Sequence, residues 1–208
     1  MSKVLLINGS PNQKGCTYTA LKEAADTLEK CGVETEIKWI AKNPLPGCIA
    51  CRKCKKTGRC IFGDEVNDVT DQLSEIDGII VGSPVYYASA SGQSCSFLER
   101  LFFSAGDRLY GKPGAAVVTC RRGGAGSAFD RLNKFFSICN MPIVTSQYWN
   151  EVHGNNPSEI KQDAEGMQTM RTLAQNMAWL LKCLESGKAA GIELPKYEKP
   201  VQTNFINR

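Results

Sequence analysis

Three short runs of this chain are apolar at every position: VLLI at 4–7, IIV at 79–81, and AAVV at 115–118. Runs of this length without polar alternation suit strands covered on both faces, as in a parallel sheet between layers of helices. Parallel neighbours need long crossover connections, and amphipathic stretches stand where those crossovers would have to lie. Residues 17–30 carry Leu21, Ala24, Ala25 and Leu28 at helical spacing and stop at Cys31-Gly32.

The remaining stretches complete the alternation. Residues 33–40 (VETEIKWI) alternate as a strand does, and 64–74 place Val66, Val69 and Leu73 on one helical face behind acidic residues. Residues 92–103 turn Phe97, Leu98, Leu101 and Phe102 inward. Helices are predicted over 127–139 and 159–186, with a fifth short strand at 142–145 between them. Five strands alternating with five helices and no internal repeat predict an α/β chain. The expected architecture is a flavodoxin-like three-layer sandwich whose five-stranded parallel sheet has the order 2-1-3-4-5. It spans 1–187 with a cysteine-rich loop at 44–63, and a polar tail follows at 188–208, where Phe205-Ile206 is a candidate clip onto a neighbouring subunit.

At 208 residues, 42% apolar and 22% charged, the chain has the balance of an ordinary globular protein. Its net charge of +4 is mild and its Lys and Arg are scattered, so no nucleic-acid partner is expected. No apolar run approaches the ~20 residues of a membrane span, and MSKVLLINGSP turns polar too soon for an export signal. No membrane partner is expected either, and the predicted compartment is cytoplasmic.

In a sheet of this order, ligands bind beyond the carboxyl ends of the strands, at the switch point. Three loops are predicted there: 10–17, 83–87 and 119–126. The first, SPNQKGCT, offers hydroxyls on Ser10 and Thr17, the Asn12 amide and the positive end of the following helix, which suits one phosphate. It is neither GxGxxG nor GxxxxGK[ST], which disfavours a dinucleotide or a nucleoside triphosphate. The second, SPVYY, sets Pro84, Val85 and Tyr86 beside the site, with apolar surface for a flat ring. The third, TCRRGGAG, is nearly all glycine after Arg122 and lets a planar ligand approach the backbone. A phosphate site, edge donors and a stacking surface together describe flavin mononucleotide (FMN).

GSPNQKGCT, SPVYYASASGQ and TCRRGGAG, in this order and spacing, resemble the NADPH-dependent FMN reductase family of flavodoxin-like proteins over roughly residues 3–185. The resemblance implies Ser10, Asn12 and Thr17 at the FMN phosphate, with Gly15 and Cys16 lining that loop. It implies Pro84, Val85, Tyr86 and Tyr87 against the isoalloxazine, and Thr119, Gly123 and Gly124 near its edge. Where Asn12 and Cys16 stand, the family usually has Arg and Asn, so Lys14, Arg121 or Arg122 is the expected source of the missing positive charge. A homodimer or homotetramer is expected on the same ground.

Ten cysteines without an export signal are expected to be thiols rather than disulfides. Six are dispersed, whereas Cys48, Cys51, Cys54 and Cys60 stand together as C-x2-C-x2-C-x5-C. Such spacing lets one loop wrap an iron–sulfur cubane, and Arg52, Lys53, Lys55, Lys56 and Arg59 favour its thiolates. Free thiols on a solvated loop, or a zinc site, are the other readings of the same residues. The loop resembles the compact motif of the iron–sulfur flavoproteins, a branch of the same family, which implies a [4Fe–4S] cluster.

Hydride transfer from a nicotinamide to a flavin needs stacking and orientation, and the cofactor carries the chemistry. The expected function is an NAD(P)H-dependent FMN oxidoreductase working by ping-pong. Its small-molecule acceptor is a flavin, a quinone, an azo or nitro compound, or an activated alkene such as an enone or flavone. The alternative is an electron carrier built on FMN and [4Fe–4S], and a third reading is a thiol-reactive sensor on the cysteine loop. The positive net charge argues against a flavodoxin-type carrier that docks to basic partners. Tyr87 is a candidate to orient or protonate an acceptor. His153, the single histidine, is a second catalytic candidate beside a surface-loop role, and Tyr148 and Trp149 are candidates for a lid or a dimer contact.

Overall fold

The three apolar runs lie side by side at the centre of one parallel sheet. In the computed structural model, which describes residues 1–205, the strands are β1 (Lys3–Asn8), β2 (Glu34–Trp39), β3 (Gly78–Tyr86), β4 (Ser89–Ala90), β5 (Gly114–Cys120) and β6 (Glu151–His153). The helices are α1 (Cys16–Lys30), α2 (Cys54–Thr57), α3 (Glu65–Gln72), α4 (Gly92–Ala105), α5 (Ala125–Ile138), α6 (Pro157–Gln162) and α7 (Ala164–Ala189), with a 3-10 turn at Gly106–Leu109. The sheet order is β2-β1-β3-β5-β6, the flavodoxin-like order expected, and β4 pairs only with β3.

Alternation of side chains along the central strands makes two cores. Leu5, Ile7, Ile79, Val81, Ala116 and Val118 face α3, α4 and α5, where Val66, Phe97, Leu101 and Phe136 meet them. Val4, Leu6, Ile80, Ala115 and Val117 face α1 and α7, against Leu21, Leu28, Leu173 and Met177. All of these side chains are fully buried, and burying each large aliphatic contributes roughly 1.5–3 kcal/mol.

Four expectations change. Most of the loop expected at 83–87 is strand, since β3 runs on to Tyr86, where residues 85–86 gain antiparallel partners in β4. The run at 142–145 forms only an isolated bridge between Gly114 and Ile143, and the fifth parallel strand is β6, which pairs with residues 118–120 of β5. The single helix expected over 159–186 is two, because Asp163 leaves helical geometry and its carboxylate accepts from the Gly166 amide to cap α7. The cysteine-rich loop contains one helical turn, α2.

Beyond α7, the tail folds back on the body. Leu194 packs over Gly111, and the Tyr197 ring lies 5.2 Å from that of Tyr110. Ile206, one half of the expected clip, lies outside the described residues. Among the described residues, no helix is long and apolar enough to cross a membrane.

Candidate functional site

Because β1, β3 and β5 are parallel and in register, the segments that follow them share the carboxyl edge of the sheet. Asn8, fully buried at the end of β1, shapes the first segment. Its Oδ1 accepts from the Ser10 amide at 3.1 Å, and its Nδ2 donates to the Gln13 carbonyl at 2.9 Å. Ser10 Oγ accepts from the Asn12 amide at 3.2 Å, the Gly15 amide donates to the Asn12 carbonyl at 3.1 Å, and the Trp39 indole donates to the Ser10 carbonyl at 2.8 Å. This built turn delivers the chain into α1, whose N-cap is Gly15 and which has no side-chain cap. Uncapped first-turn amides at the positive end of a helix form a binding place for an anion.

Thr17 turns its buried hydroxyl to that of Thr119, 2.9 Å away, and so ties the first segment to the third. Cys16 Sγ donates to the Gly154 carbonyl at 3.8 Å, and burial raises its thiol above the ordinary 9.0. Lys14, Arg121 and Arg122 are exposed and belong to no ion pair among the described residues. No Asp or Glu occurs in residues 9–17, 83–91 or 119–126. Glu159 acts on Cys16 and Glu151 on Cys120 from outside these segments, which themselves contribute cations and no acid.

The second segment is a hairpin. Val85 pairs with Ala90 and Tyr86 with Ser89, leaving Tyr87 and Ala88 at the tip with φ of 49° and 57°. A non-glycine residue held in this region costs on the order of 1–3 kcal/mol, and such strain clusters at ligand clamps. Tyr87 is fully exposed at the tip and Tyr86 about half so. The third segment presses against this hairpin: Gly124 has φ of 88°, and a Cβ there would stand 2.8 Å from Ala88 Cα and 3.1 Å from Val85 Cγ1. At Gly123 a Cβ would meet nothing within 4 Å. The space above Gly123 is open.

A buried serine knot fixes the first two segments to each other. Ser91 Oγ and Ser94 Oγ both donate to the Gly9 carbonyl, at 2.9 and 3.2 Å, and Ser83 Oγ accepts from the Ser91 amide at 2.9 Å. Gly9 permits this approach, since a Cβ there would overlap Ser94 Oγ at 1.9 Å. The sequence does not single out Asn8, Trp39, Ser91 or Ser94 as site residues. The only signal for them is a polar residue ending a buried strand and two hydroxyls three apart at a helix start.

His153 lies on β6 opposite Cys120, next to the third segment. Its amide donates to Asp163 Oδ2 at 2.7 Å, and its half-exposed ring has Nδ1 3.9 Å from the same oxygen. Tyr148 and Trp149 contact each other, ring centroids 5.1 Å apart, and both are more than half exposed.

The cysteine-rich loop leaves the same sheet after β2 and packs on α4. Cys48, Cys51, Cys54 and Cys60 line one shallow pocket open to solvent, together with Ile49, Ile61, Phe62, Phe103 and Arg100. Among the described residues, no three His, Cys, Asp or Glu side chains converge as the ligands of one metal ion. Four thiols around an apolar pocket form a soft donor set, suited to an iron–sulfur cluster rather than to a hard cation. The edge segments likewise fit FMN: hydroxyl and amide donors with free cations for its phosphate, and an open glycine surface beside exposed tyrosines for its ring.

Residues 2–156 match the sequence profile of a family described as NADPH-dependent FMN reductase. The chain belongs to the NADPH-dependent FMN reductase family. As a member, it is an FMN-dependent oxidoreductase. An iron–sulfur flavoprotein of Methanocaldococcus jannaschii is 34% identical over 191 residues, which cover 88% of this chain and 99% of that one. An iron–sulfur flavoprotein of Methanosarcina thermophila is 26% identical over 193 residues, covering 89% and 98%. Among solved structures, RosB with bound 8-demethyl-8-formylriboflavin-5'-phosphate shares the fold with a TM-score of 0.70 at 16% identity, over 100% of this chain and 93% of that one.

Proposed function

We propose that this chain is an NAD(P)H-dependent FMN oxidoreductase that binds FMN at the carboxyl edge of β1, β3 and β5. The observation that carries this reading is the union of three acid-free segments around an uncapped helix start, tied by Thr17 to Thr119 and by Ser94 to Gly9. The first-turn amides of α1 and Ser10 Oγ hold the phosphate, and Lys14, Arg121 and Arg122 offset its charge. The hairpin residues Pro84, Val85 and Tyr86 support one face of the flavin ring, and Gly123 admits its edge while Gly124 packs on the hairpin beside it. FMN held there would supply two-electron hydride chemistry between a nicotinamide and a small-molecule acceptor bound in turn, which is a ping-pong scheme. Tyr87, free at the hairpin tip, orients the acceptor and is placed to supply a proton, and His153 flanks the third segment.

The cysteine pocket favours a second centre. Cys48, Cys51, Cys54 and Cys60 hold a [4Fe–4S] cluster, which supplies one-electron transfer when bound. Helix α4 joins the two places: Ser94 bonds the Gly9 carbonyl and Arg100 bonds Cys60, six residues or about 9 Å apart along the axis. The chain then works as an iron–sulfur flavoprotein that carries electrons singly as well as in pairs. Tyr148 and Trp149 serve as contacts in a homodimer or homotetramer.

Anaerobic stopped-flow mixing with NADPH and with NADH tests the proposal. The flavin band bleaches with at least one of them; an oxidised flavin after both ends the reductase reading, and iron and sulfide analysis of the same sample decides the cluster.

A further inference from the structure

We propose that Arg100 is a positioning residue for Cys60, loading its sulfur with a hydrogen bond that raises the reduction potential of the cluster held there. This inference rests on the cluster reading above. The Arg100 side chain has no exposure, and its Nε–H donates to Cys60 Sγ at 3.2 Å. Its other two nitrogens are taken by Asp64, Nη1 to Oδ2 at 2.8 Å and Nη2 to Oδ1 at 2.7 Å. Nη1 also reaches the Pro46 carbonyl at 3.3 Å, and the Phe62 ring covers the guanidinium with its centroid 4.7 Å away. A two-point fork to a carboxylate fixes the plane of a guanidinium. With that plane fixed, Nε–H has one direction left, and the sulfur lies in it.

The backbone that carries the sulfur is fixed as well. Asn67 accepts from the Cys60 amide and donates to the Cys60 carbonyl, both at 2.9 Å. Cys48 and Cys51, by contrast, are exposed. Burying a guanidinium is costly unless its donors are matched, and here Asp64, the Pro46 carbonyl and Cys60 Sγ match all three nitrogens. An N–H bond to a ligand sulfur favours whichever cluster state carries more negative charge, the reduced one, so it raises the potential. Asp64 cancels the long-range charge of Arg100 and leaves the local bond as the effect.

The test compares three proteins, each carrying FMN: the wild type, Arg100→Lys, and the double variant Arg100→Met with Asp64→Asn. The double variant removes the buried pair together and keeps a side-chain oxygen to cap α3 at position 64. The lysine variant keeps the charge and gives up Nε–H. EPR-monitored redox titration reads the potential, with iron, sulfide and FMN contents measured on each sample. The expected result is full FMN in all three and a lower cluster potential in both variants. At fixed potential the ratio of reduced to oxidised cluster falls about tenfold, ~59 mV for one electron. Equal potentials in the wild type and in a variant that retains its iron overturn the role of Arg100 alone. A wild type without iron and sulfide overturns the cluster reading and the inference with it. A double variant that keeps FMN but no cluster supports the positioning role, and the lysine variant then decides the potential.

Discussion

Gly124→Ala perturbs the contact between the third edge segment and the hairpin at one atom. Alanine at a φ of 88° leaves the region open to L residues, which costs about 1–2 kcal/mol. Its Cβ also stands 2.8 Å from a backbone carbon, Ala88 Cα, with Ala88 Cβ and Val85 Cγ1 at 3.1 Å. Overpacking of this kind adds about 1–3 kcal/mol. The sum, roughly 2–5 kcal/mol, is within the total stability of most domains, so the variant folds with the hairpin displaced. Gly123→Ala is the matched control, since nothing lies within 4 Å of its Cβ and its φ is not left-handed. Urea unfolding of the FMN-free proteins is expected to show a clear loss for Gly124→Ala and almost none for Gly123→Ala. Fluorescence titration with FMN is expected to show weaker binding for both, because the open space above Gly123 is where the ring edge belongs. A Gly124→Ala protein with unchanged midpoint and affinity refutes the packing argument. A Gly123→Ala protein that binds FMN as the wild type does removes the ligand from that surface.

Three further outcomes follow from the same geometry. Thr17→Val leaves the buried Thr119 hydroxyl without its partner, at a cost of about 1–3 kcal/mol; the double variant with Thr119→Val costs less than the sum, measured by urea unfolding. Asn8→Ala frees the Ser10 amide and the Gln13 carbonyl together, so FMN affinity falls tenfold or more, about 1.4 kcal/mol, in a fluorescence titration. Burial raises the Cys139 thiol above the ordinary 9.0, so the folded protein keeps a proton that the unfolded chain releases. The thiol's contribution is whole below pH 9.0 and is lost as pH rises through the folded value. The stability gap between the wild type and Cys139→Ala accordingly narrows above that pH in paired unfolding curves.

The central strands were legible because full burial demands unbroken apolar runs, and VLLI, IIV and AAVV supply them. β6 was not, because an edge strand needs only one covered face, and Glu151-Val152-His153 looks polar beside the apolar 142–145. The hairpin at 85–90 hid for a different reason. Its turn residues, Tyr87 and Ala88, are not the glycine or asparagine that advertise left-handed φ. Asp163 interrupts the last helical stretch by capping the next turn with its side chain, for which Gly166 leaves room. Within the site, Gly15, Thr17 and Gly124 could be chosen by motif, whereas the bonds of Thr17 to Thr119 and of Arg100 to Cys60 join residues 102 and 40 apart. No local pattern encodes such pairs; only the crossovers bring them together.

The central claim is that the α1 start holds the phosphate of FMN, and comparing FMN with riboflavin tests it most directly. Fluorescence titration of the wild type and of Ser10→Asp gives the ratio of the two dissociation constants in each. Charge-assisted bonds to the phosphate are worth about 1.5–3 kcal/mol each, so the wild type is expected to bind FMN roughly 100-fold more tightly than riboflavin. A carboxylate at position 10 repels the phosphate, and the ratio in Ser10→Asp falls toward unity. Equal affinities in the wild type, or a ratio that Ser10→Asp leaves unchanged, contradicts the account.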